Sequence, residues 1–263
     1  MNPEEYNNLA RVEQHHWFYA GKREIVRFWI NRCHPLQPAD LLADCGAGTG
    51  IFAGEMRAAC KVVAVDDFEE SLKLLEARLG KDCVLKGSCT ALPLADNSVD
   101  VLTALDVIEH VQDDRAAVKE FLRVLRSGGI AVIAVPALMA LWSDWDVTLR
   151  HHRRYDARTL RGTIPAQFEI LHLNYVNVAV LPAVFLVRKF RALKQRLGFK
   201  TVSRSEDQIP PEWLNRFLQW LFVRLACQQT VHFPSGVGLL AVLRKRRECN
   251  LPALNNGITE QDG

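Results

Sequence analysis

The sequence predicts an α/β fold built on a doubly wound, mostly parallel sheet, and three observations carry the prediction. Short apolar runs alternate with amphipathic helical patterns through the first half of the chain. The first run, Leu41 to Ala43, leads through Asp44 and Cys45 into a turn with glycine at 46, 48 and 50. The second, Lys61 to Asp67, ends in two carboxylates. At 263 residues and 49% hydrophobic content, the chain suffices for one sizeable domain with an insertion. Its net charge of +3 is too small to mark a nucleic-acid surface. Seven scattered cysteines without a CxxC pair suit a reducing compartment. The acidic, polar N-terminal stretch lacks the basic-then-apolar order of a signal peptide, so a cytoplasmic location is expected.

Residues 3–30 read as helical, with Glu4 and Glu5 near the start and Ile25, Val26, Phe28 and Trp29 later. The cluster His15, His16, Trp17, Phe18, followed by Gly21, Lys22 and Arg23, has two readings. It packs its aromatics on the core, or it forms a lid (residues 1–38) whose Lys22 or Arg23 meets a carboxylate or phosphate. After the first strand, glycines let the backbone approach a ligand, and a helix from Thr49 through Phe52, Met56 and Ala59 turns its N–H groups to the same spot. The dinucleotide pattern GxGxxG would need glycine where Ile51 stands. Asp66, at the carboxyl end of the second strand, can accept both hydroxyls of a ribose, while Asp67 suits a helix cap.

A helix over Glu69–Leu79 stops at Gly80, and a short strand follows at Val84–Lys86. Val99 to Leu105 is the fourth strand, and it delivers Asp106, Glu109 and His110 to the edge that carries Gly46 and Asp66. His110 either faces a substrate or caps a turn. Asp113 and Asp114 start a helix with the stripe Ala117, Phe121, Val124 and Leu125, ended by Gly128 and Gly129; Ile130 to Val135 is the fifth strand, closed by Pro136.

Taken in order, ADCGAGTG, VVAVDD, ALPLADNSVDVL, DVIEHV and RVLRSGG resemble the class I S-adenosylmethionine-dependent methyltransferases over about residues 40 to 137. The resemblance implies a Rossmann-like methyltransferase fold, a mostly parallel seven-stranded sheet. Its core would span 39–176 plus 237–246, with Phe168–Val176 and Val237–Arg244 as an antiparallel edge pair, a helical insertion at 177–236 and a flexible tail at 247–263. It also implies S-adenosyl-L-methionine as cofactor, held by Asp44, Gly46, Ala47, Gly48, Gly50, Asp66, Asp67, Ser88, Cys89, Leu105 and Asp106. Ser88 or Cys89 stands where the family commonly has an acid near the adenine amino group, so a hydroxyl or backbone N–H must take that contact. The early His-Trp-Phe block, and Asp146, His151, Arg153, Arg154 and Tyr155 in a Leu-Trp-Ser to His-x-Arg-Arg-Tyr string, are similar to one subgroup of the family.

The activity so implied moves a methyl group to a small-molecule, lipid-linked or sugar-linked acceptor. A nicotinamide-dependent oxidoreductase and a non-catalytic adenosyl-binding module are the rival classes. The segment Leu138 to Asp156 is dense in ionisable and aromatic groups with no evident core to serve, and reads as the substrate wall. The catalytic candidates are His110 or His151 as base, Asp146 to orient a histidine, and Arg154 and Tyr155 to bind the acceptor. No metal is expected, because adjacent histidines on a helix point apart and no HxxxH or Cys-His set completes a site.

The insertion has an apolar run, Val178 to Val187, broken by Pro182 and too short for the roughly 20 residues a bilayer span needs. Arg188, Lys189, Arg191, Lys194, Arg196 and Lys200 follow, with no acid between Glu169 and Glu206. Trp213, Leu214, Phe217, Leu218, Leu221, Phe222 and Leu225 share a helical face. These helices either complete the pocket against the sheet or rest on an anionic membrane and admit a lipid-linked acceptor.

Overall fold

A computed structural model describes residues 10–196 and 208–247. Glu4, Glu5, Lys200, Glu206 and nearly all of the expected tail lie outside them, as do the side chains of Arg191, Lys194 and Arg196. The elements run α1 (Trp17–Cys33), β1 (Leu41–Cys45), α2 (Ile51–Met56), β2 (Lys61–Asp66), α3 (Glu69–Leu79), β3 (Val84–Lys86), β4 (Val99–Leu105), α4 (Asp114–Val124), β5 (Leu125–Pro136), α5 (Asp144–Thr148), α6 (Ala157–Arg161), β6 (Phe168–Val176), α7 (Leu181–Arg196), α8 (Glu212–Ala226) and β7 (Gly238–Lys245).

The strands form one seven-stranded sheet in the order β3-β2-β1-β4-β5-β7-β6. Neighbours from β3 to β5 are parallel, and β7 runs antiparallel between β5 and β6. The chain leaves β1 toward β2 and β3, then returns to place β4 on the other side of β1. A crevice opens at such a reversal, outside the carboxyl ends of the strands.

Strand alternation supplies two buried faces. Leu42, Val101, Val132 and Val242 pack with Val26, Ile30, Phe52, Leu75 and Phe222 from α1, α2, α3 and α8. Ala43, Leu102, Ile133 and Leu243 pack with Val118, Phe121 and Leu160 from α4 and α6. The early aromatic cluster joins the first face: Phe18 stacks on Phe222 at a centroid separation of 5.8 Å. Trp29 donates to the Ala226 carbonyl at 3.2 Å.

Several boundaries differ from the sequence expectation for identifiable reasons. The N-terminal helical stretch is interrupted: residues 10–12 are helical, a turn follows at 13–15, and α1 starts at Trp17, where His16 caps it by accepting from the Phe18 N–H at 3.3 Å. Helix α2 ends at Met56, and the chain turns there to enter β2. Gly128 and Gly129 do not stop a helix; they lie inside β5. Gly128 has φ +85°, and a Cβ on Gly129 would stand 2.9 Å from the Asp100 carbonyl oxygen, so glycine permits a bulge and a close strand approach.

The expected apolar face of α8 is divided. Phe222 is buried, whereas Trp213 is 72% exposed and Phe217 is 49% exposed. Asn215 interrupts the pattern: its side chain accepts from the Trp17 N–H at 2.9 Å and donates to the His15 carbonyl at 2.7 Å, fixing α8 against α1 through a polar residue. Among the described residues, no helix is long and apolar enough to cross a membrane.

Candidate active site

At the carboxyl edge of the sheet the glycine turn is built from β1 outward. Gly46 and Ala47 donate backbone bonds to the Val65 carbonyl at 2.8 and 3.3 Å, which brings the turn over the end of β2. Gly46 has φ +66°, and a Cβ there would meet the Val107 side chain at 2.5 Å, so glycine is required on both counts. Asp66 locks the turn from the other side, accepting from the Gly48 N–H and the Phe68 N–H at 3.0 Å each. Asp44 pairs in register with Thr103 of β4, whose hydroxyl donates to it at 2.7 Å.

These groups open onto a cavity of about 830 Å³. Asp44, Gly46, Ala47, Gly48, Asp66, Asp67, Ser88, Cys89, Leu105 and Asp106 all line it; Gly50 does not, serving instead as the left-handed cap of α2 at φ +74°. Burial drives the Asp44 carboxyl up to about 7, with the Glu13 and Asp66 charges adding to the rise and the Thr103 hydroxyl opposing it. Burial likewise raises Asp66 and Glu13. Glu13, which the sequence did not single out, contacts the Thr49 hydroxyl. Lys22 reaches Asp106 within the cavity and stands 4.3 Å over the Phe18 ring. Arg23 borders the cavity too, and it pairs with Glu55 at 3.0 Å and donates to the Glu13 carbonyl at 2.8 Å, anchoring the segment before α1.

The far end of the cavity is bounded by Glu109, His110, Trp145, Leu149, His151 and Arg154, with Val180 and, from α7, Ala183, Val184, Val187 and Arg188. Its organiser is Asp146, fully buried behind the wall. Asp146 accepts from His151 Nδ1 at 2.9 Å, Arg154 Nε at 2.7 Å and the Ser143 N–H at 2.9 Å. Burial alone would raise its pKa, but these donors hold it near 2. Since a carboxylate only accepts, His151 carries a proton on Nδ1, and in its neutral form Nε2 is the acceptor. The His110 and His151 rings meet edge to face at 4.6 Å. Burial, then the neighbouring His151, lowers His110 to about 4, so it is neutral at physiological pH.

Not every expected site residue reaches the cavity. Tyr155 is buried in the core, donating to Asp114 at 2.8 Å, and its backbone pairs beside Ala137 as an extension of β5. Arg153 turns away to Asp114 at 2.7 Å. The dense Leu138–Asp156 segment therefore does serve a core: Asp146 and Arg154 are buried as a pair, and Tyr155 is buried against Asp114. Glu109, His110 and His151 converge instead, each offering a ligand atom within 4.8 Å of the others, a set that could hold a metal ion. The expectation of no metal rests on adjacent histidines and on the lack of an HxxxH or Cys-His set, and no such local spacing joins His110 to His151. The link is tertiary, with the His152 N–H donating to the Glu109 carbonyl at 2.8 Å.

Residues 43–133 match the methyltransferase domain family. A protein of Mycolicibacterium smegmatis named as a probable S-adenosylmethionine-dependent methyltransferase is 32% identical over 165 residues, covering 60% of this chain and 62% of its own. The chain thus spans about three-fifths of the curated relatives it matches. Among solved structures, an S-adenosylmethionine-dependent methyltransferase of Thermotoga maritima aligns with TM-score 0.57 at 19% identity, over 92% of this chain and 96% of that one. The [4+2]-cyclase SpnF aligns with TM-score 0.53 at 18% identity, over 84% and 80%. The cofactor implied by the domain and the curated relatives is S-adenosylmethionine. The cavity fits it: the ligand carries a net positive charge, and burial has left Asp44, Asp66 and Glu13 short of counter-charge.

Replacing Asp146 with alanine leaves Arg154 buried without its carboxylate, and is expected to cost about 3–5 kcal/mol in urea unfolding. Because the folded pKa of Asp146 is depressed, its stabilisation is present above about pH 4 and lost as the pH falls toward 2. A wild-type acid limb unchanged in Asp146→Ala would contradict the assignment.

Proposed function

We propose that the protein is an S-adenosylmethionine-dependent methyltransferase acting on a hydroxyl of a small-molecule, lipid-linked or sugar-linked acceptor. The observation that carries this reading is the single cavity that joins the glycine turn and Asp66 at one end to Glu109, His110 and His151 at the other. When bound, S-adenosylmethionine supplies an electrophilic methyl group on a sulfonium, whose departure as a neutral thioether needs no acid.

The chain's own task is then alignment, exclusion of water and removal of the acceptor's proton. The turn at Gly46–Gly48 and the Asp66 carboxylate receive the cofactor, and Ser88 and Cys89 border the adenine side. Asp44 and Glu13 provide negative charge beside a cationic ligand. Trp17, Phe18 and Lys22 from α1 close the cavity over it, as the 1–38 lid. At the far end, His110 and His151 flank the acceptor hydroxyl, with Asp146 holding the His151 ring and Arg154 bordering the site. A neutral amine acceptor would not need this concentration of imidazole and carboxylate. The cyclase neighbour is a reminder that the fold carries other chemistry, so the assignment rests on the site.

A lipid-linked acceptor is favoured by the insertion. One side of α7 lines the cavity, while Leu186 is 67% and Phe190 59% exposed, and α8 presents Trp213, Phe217 and Trp220 to solvent. Arg188 turns inward to the cavity wall and Asp146, whereas Lys189 lies on the same stretch as these apolar groups, a pattern suited to an anionic membrane surface. Such contact fits the expected cytoplasmic location.

Ionised Asp44 is needed for a cationic ligand, yet in the empty cavity its pKa is raised. This group therefore disfavours the folded state increasingly from about pH 4 to 7, and cofactor binding offsets that effect by drawing off its proton. The dissociation constant for S-adenosylmethionine should tighten about tenfold between about pH 6 and pH 8, and Asp44→Asn should flatten the profile in calorimetric titration. Transfer of labelled methyl to cell-extract fractions should fall at least about 100-fold in His110→Ala and His151→Ala with S-adenosylhomocysteine affinity retained. Intact transfer in both variants would remove the acceptor end from this account. In flotation, the protein should rise with vesicles containing anionic phospholipid, and less so as Trp213→Ser/Trp220→Ser; indifference to lipid charge would end the membrane reading.

A further inference from the structure

We infer that Glu109, His110 and His151 bind a divalent first-row transition-metal ion, of the zinc or manganese class, at the acceptor end of the cavity. The inference deepens the proposed function by assigning what that end holds, although the donor set stands on its own geometry.

Glu109 is the first observation. Its side chain is wholly buried, and neither carboxylate oxygen has a hydrogen-bond partner among the described residues. A buried carboxylate left in that condition is costly, and structures retain one where a cation or ligand completes it. The neighbouring cations are already engaged, Lys22 with Asp106 and Arg154 with Asp146. Asp106 adds a further negative charge beside the site.

The second observation is the arrangement around the histidines. Metal-bound imidazoles characteristically donate their other ring N–H to a carboxylate or a backbone carbonyl, which fixes the ring and the tautomer. His151 does so to Asp146 at 2.9 Å, and His110 is hydrogen-bonded to the backbone of Leu149. Each ring thus retains one nitrogen for an ion. Glu109, His110 and His151 all border the cavity, so the coordination sphere has an open side toward it.

Geometry and donor type then select the ion. The three ligand atoms lie within 4.8 Å of one another, and a tetrahedral ion with bonds of about 2.1 Å would draw them to about 3.4 Å, an adjustment within the reach of side-chain rotation. Two imidazoles and one carboxylate suit zinc or another first-row ion with open positions, whereas magnesium and calcium favour all-oxygen surroundings. An acceptor hydroxyl on the open position would be acidified by the ion, its O–H bond breaking with the proton released to water.

The test uses the full chain, stripped with chelator, dialysed against zinc chloride and analysed for retained metal. About one zinc per chain is expected, with retention lost in Glu109→Gln and in His110→Ala but kept in His34→Ala, a histidine outside the cavity. Circular dichroism and S-adenosylhomocysteine titration of the same samples show whether each variant is folded, and two variants guard against misfolding of one. No retained zinc in the folded wild type, retention unchanged in both folded variants, or magnesium held as tightly as zinc would each overturn the inference. Zinc retained at this site without any S-adenosylhomocysteine binding would uphold the metal site and defeat the methyltransferase reading, so the two failures are distinct.

Discussion

The Asp146 carboxylate is drawn out of water completely, and it is tolerable there because His151, Arg154 and the Ser143 backbone each direct a donor at it. Arg154 is in turn tied to the Ala137 carbonyl at 3.1 Å, just past the end of β5. This network fixes the path of the chain from the fifth strand to Tyr155. It also sets the orientation of His151, and so brings that ring against His110 on the loop after β4. It acts together with the His152 N–H bond to the Glu109 carbonyl, which ties the two histidine-bearing segments to each other.

The glycine-turn end of the cavity follows a different logic. Three parallel strands deliver Asp44, Asp66 and Asp106 to one edge, a consequence of parallel register and of the chain reversal at β1. Asp66 is anchored by backbone N–H groups, while Asp44 has one hydroxyl donor. Burying several carboxylates together raises the free energy of the empty cavity, and a cationic ligand relieves it. Binding affinity of this kind is stored in the unliganded protein as unfavourable electrostatics.

Much of the fold was legible because strands buried on both faces read as unbroken apolar runs. The bounds of β4 could be taken from such a run, those of α3 from its leucine spacing and the Gly80 stop, and those of the edge strand β6 from its alternation. The errors fall where a residue plays a tertiary part. Gly128 and Gly129 look like a helix terminus in sequence but accommodate a bulge against Asp100. The apolar face of α8 looked continuous because periodicity weighs each residue alike, whereas the helix docks through Asn215, Phe222 and Ala226. Tyr155 and Arg153 looked like site residues by composition, yet Asp114 claims both.

By itself the sequence determined the order of strands and helices, the glycine turn and the carboxylates at the strand ends, since those follow from hydrophobic periodicity and from backbone conformations only glycine adopts readily. The tertiary structure alone decided which polar groups are buried and which of them meet. Glu109 acquires its meaning from the desolvation around it, and from a histidine far along the chain that a buried ion pair holds in place. Such encounters depend on packing in three dimensions, and one-dimensional spacing carries no record of them.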